Sequence, residues 1–279
     1  MDKHLVKLYI VILAFLVLAI LLTPVIMGRT SALVAEAATA VKLADYKADE
    51  TKSIAPAEEK GSVVIIMDDG FETQYTSGYN VLKSSGLKGA VAVIPAAVGE
   101  AGYMDYRQLA ELYMDGWDML NHTYNHESLV ELSKEEQVSQ ILRGRDWLRS
   151  RQLLRGSDIL VYPGGRHNEL TKEALKETGT AAARSLKSVW TRELDCTLED
   201  VEVCNVISGM PVKEVRAAID KAANNKSAVL LVLHKIEPVT DDSKMQVEES
   251  TLQSIVDYIA SNSATLNVVT LSELLQMRQ

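Results

Sequence analysis

Apolar positions in this chain fall into three patterns. The first is a set of short, nearly continuous runs at 62–67 (SVVIIM), 89–94 (GAVAVI), 116–120 (GWDML), 157–162 (SDILVY), 180–184 (TAAAR), 201–207 (VEVCNVI), 228–233 (AVLLVL) and 266–270 (LNVVT). Runs of this length with no polar face predict strands covered on both sides. The second pattern lies between them and has helical spacing. Ser133 and Glu136 form a capping box ahead of Val138, Ile141, Leu142 and Leu148. Residues 170–178 stop at Gly179, a natural helix end. Pro211 opens a helix with Val212, Val215, Ile219 and Ala222 on one side, and Leu252, Ile255, Val256 and Ile259 mark another. Thr270 and Glu273 box the last. Strand and helix alternate, which predicts a parallel sheet, open or closed into a barrel.

The third pattern is a single stretch, 8–27 (LYIVILAFLVLAILLTPVIM), preceded by Lys3 and Lys7. Twenty residues at about 1.5 Å each span roughly 30 Å, the depth of a bilayer core. We read it as an uncleaved membrane anchor in preference to a signal peptide, although Ala35-Glu36-Ala37 offers a small-x-small cleavage site. The flanking lysines stay in the cytoplasm, so the remainder lies outside it, single-pass or, after cleavage, secreted. The expected organisation is an anchor or signal over 1–29, an extracytoplasmic linker over 30–60 rich in Ala, Lys and Glu, and a catalytic domain over 61–279.

Composition narrows the function. The chain has 279 residues, 47% of them hydrophobic, and a net charge of −9. That supplies a real core, and the absence of a long basic run argues against nucleic acid as a partner. The two cysteines, Cys196 and Cys204, are too few for a disulfide scaffold; they form one bridge or remain two buried thiols.

The chemistry gathers where the strands end. Asp68 and Asp69 follow the first run, His122 and His126 the third, and Pro163-Gly164-Gly165 with His167 the fourth; His234 follows the 228–233 run. Four of the five histidines therefore sit just past a strand, and in a parallel α/β barrel those ends share one rim. Two histidines four apart and one carboxylate make a three-ligand set for a divalent metal, with a position left for water. A second carboxylate beside it can take a proton from that water. His234, at the same rim, is a candidate general acid. His167 reads as a loop residue, and His4 has no role.

In this order, these residues resemble the polysaccharide deacetylase family (carbohydrate esterase family 4, the NodB-homology domain). The resemblance covers nearly all of 61–279. Its motifs are Met67-Asp68-Asp69-Gly70, His122-Thr123-Tyr124-Asn125-His126, Tyr162-Pro163-Gly164-Gly165 and Leu231-Val232-Leu233-His234. It implies a distorted (β/α) barrel of about seven to eight parallel strands. It also implies that Asp69, His122 and His126 bind the metal, that Asp68 is the base and His234 the acid, and that the Gly164 N–H helps hold an oxyanion. Tyr162, Pro163, Gly165 and Trp190 would line the substrate. The metal would be Zn²⁺, with Co²⁺ and Ni²⁺ as other candidates. The implied reaction removes N-acetyl groups from an amino-sugar polymer and releases acetate.

The chain departs from the family in three places. The arginine expected just before the third motif is replaced by Leu160 or Val161, and Arg166 or Arg184 could supply its charge. Gly164 stands where the family has Tyr. The fourth motif has no clean counterpart, with Trp190 and Asp195 in its region. Two other functions compete: a related amidase acting on a small molecule, and an inactive glycan-binding protein on the same scaffold.

Overall fold

The computed structural model describes residues 33–43, 60–192, 196–240 and 245–278. The anchor expected at 8–27, most of the 30–60 linker and Asp195 lie outside these residues. Among the described residues no helix is long and apolar enough to cross a membrane. They fall into two compact units, and α1 (33–43) belongs to the first. It takes in the small-x-small site Ala35-Glu36-Ala37.

The described part of the second unit, from Lys60 onward, is a nearly closed barrel. Its elements run β1 (Gly61–Met67), α2 (Asn80–Ser84), β2 (Ala90–Val93), α3 (Tyr106–Met114), β3 (Asp118–Asn121), α4 (Lys134–Ser150), β4 (Ile159–Val161), α5 (Glu169–Thr178), β5 (Ala182–Arg184), β6 (Val189–Thr191), β7 (Cys196–Thr197), β8 (Val201–Asn205), α6 (Val212–Asn225), β9 (Ala228–Leu233), β10 (Lys235–Ile236), β11 (Gln246–Val247), α7 (Glu249–Ser261), β12 (Leu266–Val268) and α8 (Leu271–Gln276). The main sheet has ten strands in the order β7-β6-β5-β4-β3-β2-β1-β9-β8, with β12 added beside β1. β1 to β5, β8, β9 and β12 are joined by parallel pairings.

The eight expected strands are present, with ends moved by a few residues. A hairpin the apolar pattern did not reveal is added: β6 pairs antiparallel with β5, and β7 antiparallel with β6. The segment between β7 and β8 is short, and the Leu198 N–H donates to Val189 O. This connection draws β8 towards the hairpin and all but closes the ring. Cys204, on β8, is a free, half-buried thiol, which removes the disulfide alternative.

Two apolar clusters show how the strands face. Val64, Ile66, Ala90, Ala92, Leu120, Ile159, Val161, Ala182, Val189, Ala228 and Leu230 form the inner cluster, with Leu271 and Leu274 of α8 beneath it. An outer cluster over β4 and β5 joins Leu160, Tyr162 and Ala183 to Ile141, Ala174 and Leu175 of α4 and α5. Alternation along each strand therefore sends every second residue inward. The helix ends follow the expected signals: Ser133 and Thr270 complete capping boxes, and Gly179 closes α5 at φ 69°. On α4, Gln137 and Gln140 are buried with Ile141 and Leu148, whereas Val138 and Leu142 are only partly covered. The polar pair is inside because Gln140 serves the rim described next.

Candidate active site

Inward parity carries past the strand ends. On β1 it runs Val64, Ile66, then Asp68. On β3 it runs Leu120, then His122; on β5, Ala182, then Arg184; on β9, Leu230, Val232, then His234. Four charged or ligating side chains from distant segments are thus aimed at one point by the two-residue period of their strands.

Asp69 Oδ1 lies 3.3 Å from His122 Nε2 and 3.4 Å from His126 Nε2. The three ligand atoms are within 4.8 Å of one another. The His122 ring donates its Nδ1–H to Val161 O at 2.8 Å, since a carbonyl can only accept. With Nδ1–H so engaged, a neutral ring presents its Nε2 lone pair, as a ligating imidazole requires, and a protonated ring donates Nε2–H to Asp69. The rings of His122 and His126 meet edge-on, with centroids 4.6 Å apart. One carboxylate oxygen and two imidazole nitrogens converging from buried or half-buried side chains suit Zn²⁺ or another borderline divalent ion.

The backbone here is strained in order to make that convergence. Asp69, Thr123 and His126 have φ of 77°, 62° and 64°, in the left-handed region. Each costs on the order of 1–3 kcal/mol for a residue with a Cβ. Local hydrogen bonds hold the turn. The His126 N–H donates to Thr123 Oγ1 (3.1 Å) and the Thr123 N–H to Asn121 Oδ1 (3.0 Å), while Gln140 Oε1 accepts from the N–H groups of Tyr124 and Asn125. Asn121 in turn donates to Ile141 O. Helix α4 comes this close only because position 144 is glycine: a Cβ there would lie 2.2 Å from Asn121 Oδ1.

Asp68 is nearly inaccessible and takes both of its oxygens to Arg184 Nη2, at 2.5 and 2.6 Å. Arg184 is fully buried, and its Nε and Nη1 have no hydrogen-bond partner among the described residues. Asp68 therefore carries its whole compensation. Arg166 instead reaches Glu131 and Ser128 on the surface. Of the two arginines open from sequence, Arg184 faces Asp68, and it comes from the strand next to the third motif. His234 Nε2 stands 3.9 Å from Asp68 Oδ2.

The electrostatics follow from this company. Burial pushes the Asp69 carboxyl up, but the hydrogen bond and charge of His122, with the charges of His234 and His126, outweigh it and hold the carboxyl below its ordinary value. Burial, then the neighbouring His122, lowers His126, which favours the neutral ligand.

Other expected residues sit differently. Pro163, Gly164 and Gly165 form a tight turn after β4, with Gly164 at φ 60° and open space where its Cβ would be. Gly165 (φ 70°) must be glycine, because a Cβ would strike Leu186. Tyr162 is of outward parity: it belongs to the outer cluster and packs on His167, ring centroids 4.8 Å apart. Trp190 packs on the same outer cluster. The structure does not bring either ring to Asp68 and Asp69. Sequence reasoning missed Asn121 and Gln140, whose only signal was a polar residue on a face otherwise read as apolar.

A nearly closed, mostly parallel α/β barrel with a two-histidine, one-aspartate cluster on its rim is the class that fold and site define. Residues 55–183 match the family model described as polysaccharide deacetylase. The Bacillus subtilis (strain 168) protein YxkH, classed with the polysaccharide deacetylases, is 30% identical over 129 residues, 46% of this chain and 45% of the relative. The chain thus spans about half the length of the curated relative it matches. In fold, it resembles peptidoglycan deacetylase PdaC from Bacillus subtilis (15% identity, 80% of this chain and 94% of that one, TM-score 0.52). It also resembles a family 4 acetyl xylan esterase from Clostridium thermocellum solved with a cobalt ion (14% identity, 78% and 91%, TM-score 0.53). Over residues 55–183 the chain is similar to the polysaccharide deacetylase family. The matched stretch contains Asp68, Asp69, His122, His126 and the 163–165 turn; Arg184 and His234 lie beyond it.

Proposed function

We propose that this protein is a metal-dependent deacetylase that hydrolyses N-acetyl groups on amino sugars of a cell-surface or extracellular polysaccharide. The observation that carries this reading is the Asp69–His122–His126 cluster placed beside a second carboxylate, Asp68, that is held by a buried arginine. Asp69, His122 and His126 hold the ion, with Zn²⁺ the first candidate and Co²⁺ and Ni²⁺ the others. When bound, a divalent ion polarises the acyl carbonyl and makes a water acidic enough to attack it.

The remaining work belongs to the chain. Asp68 accepts the proton of the attacking water. Arg184 fixes the direction of the Asp68 oxygens. The Gly164 N–H donates to the oxygen on which negative charge develops. His234, within 3.9 Å of Asp68, gives a proton to the departing amine. The products are acetate and a free amine, cationic at neutral pH, so each turnover adds positive charge to the glycan. A membrane anchor at 8–27, a linker over 30–60 and a catalytic domain over 61–279 would hold this chemistry at the outer surface of the cell membrane.

The test is acetate release by the full chain, purified in mild detergent and metal-loaded, on a panel of acetylated amino-sugar oligomers, with Asp68→Asn alongside. Release from one substrate that falls at least about 10³-fold in Asp68→Asn supports the proposal. Metal bound without release from any oligomer sinks it, in favour of an amidase on a small molecule or a glycan-binding role.

A further inference from the structure

We infer that Gln74 is a positioning residue that sets the separation of Asp68 and His234. β1 and β9 pair in register up to Met67 and Leu233, and one further ladder bond follows, from the Asp68 N–H to Leu233 O at 2.9 Å. Beyond that the strands part. Asp69 turns into the left-handed region, and the chain after His234 enters β10, which pairs with β11. The carbonyls of Asp68 and His234 are left facing each other with no strand to donate to them.

Gln74 fills that place. It is fully buried at the start of a π-helical turn (Gln74–Tyr79), and its Nε2 donates to Asp68 O at 2.5 Å and to His234 O at 2.9 Å. Two carbonyl acceptors fix the orientation of the amide. Its Oε1 has no hydrogen-bond partner among the described residues, so its two donors alone hold it. Next to it, Thr73 Oγ1 accepts the Ile236 N–H at 3.1 Å. One neutral amide thus acts as a missing rung between the segments carrying the two groups. No other uncharged side chain of that length offers two N–H donors from one atom. A turn inserted with the wider π spacing is a common device for aiming such a side chain.

The turnover arm of the test rests on the deacetylase reading; a second arm does not. Both use the full chain, metal-loaded. In Gln74→Met, which keeps the length and loses both donors, amide hydrogen exchange at Asp68 and Ile236 should quicken at least about tenfold, with Val64 and Leu230 unchanged. Unchanged exchange at Asp68 and Ile236 overturns the inference whatever the activity. On the sugar substrate, kcat should fall about 10- to 100-fold with KM and metal content unchanged. Gln74→Met should then add nothing to the loss already caused by His234→Ala. An equal further loss in that background means a general structural role and overturns it. Gln74→Asn, with an amide of shorter reach, should repeat both patterns at smaller size. A parent chain with no turnover would refute the deacetylase reading and leave exchange to decide on Gln74.

Discussion

The barrel buries carboxylates at both ends, and the two ends treat them in opposite ways. At the rim, Asp68 and Asp69 sit among an arginine and three histidines, and Asp69 is held below its ordinary pKa. At the start of β3, Asp118 is completely buried. It accepts the Ser272 N–H and hydroxyl at 2.8 Å each, at the head of α8, with Arg155 Nε at 3.5 Å. There burial prevails over the donors, and the Asp118 carboxyl is pushed up. Depth alone therefore does not mark a reactive carboxylate; the neighbours do. The rim combines charge with strained backbone, and the other end fastens a helix to a strand.

The largest break in this comparison should come from Arg184→Met. It leaves Asp68 buried without compensation, which costs roughly 3–5 kcal/mol when one partner of a buried pair is removed. Urea unfolding should show that loss, and acetate release should fall about 100-fold or more. Arg166→Met, on the surface, should change neither. An intact rate in Arg184→Met would mean that Asp68 does not depend on this pairing.

A smaller effect is expected behind the rim. Gly144→Ala places a methyl group against Asn121 and pushes α4 away from the histidine turn. Overpacking of this kind costs about 1–3 kcal/mol, despite the better helix propensity of Ala. Metal affinity should weaken with it, because His126 rides on that turn. Calorimetry and metal titration on the one variant read both.

The smallest effect is a matter of sign. The folded Asp118 titrates above its unfolded value of 3.8. Between those two values the folded chain holds more protons than the unfolded one, so this group's contribution falls as pH rises through that window. Asp69 behaves in the opposite way: its contribution is present above 3.8 and is lost as pH falls through the depressed folded value. Asp118→Asn should therefore flatten the decline in Tm on going upward from about pH 4, relative to the parent chain. An unchanged Tm–pH slope would contradict the assignment.

Much of this was legible in the chain. Continuous apolar runs located the parallel strands, and the carboxylates and imidazoles following them located the rim. Strand parity held more than the apolar pattern alone. Counting by twos from Ala182 sends Arg184 inward, and counting from Val161 and Val189 sends Tyr162 and Trp190 outward. What could not be read is what depends on long-range approach. Thr191 and Cys196 pair across a hairpin too short to show a period. Asn121 and Gln140 are ordinary polar residues until α4 is laid against the turn, and Gln74 has no signature before β9 arrives beside β1.

That last meeting has a consequence for how the molecule comes into being. β1 is the first barrel strand in chain order, yet it pairs with β9 and β12, whose partner residues lie more than 160 positions later. During synthesis, Asp68 and Asp69 emerge with only the early strands for company, and the pairing of β1 with β9 and β12 comes much later. Such non-local pairing is slow to form. A chain halted after β5 would hold Asp68, Asp69, His122, His126 and Arg184, but not His234 or the strand that carries it. The rim is thus completed only once β9 has been made, and a chain halted before it carries the Asp69–His122–His126 cluster without His234.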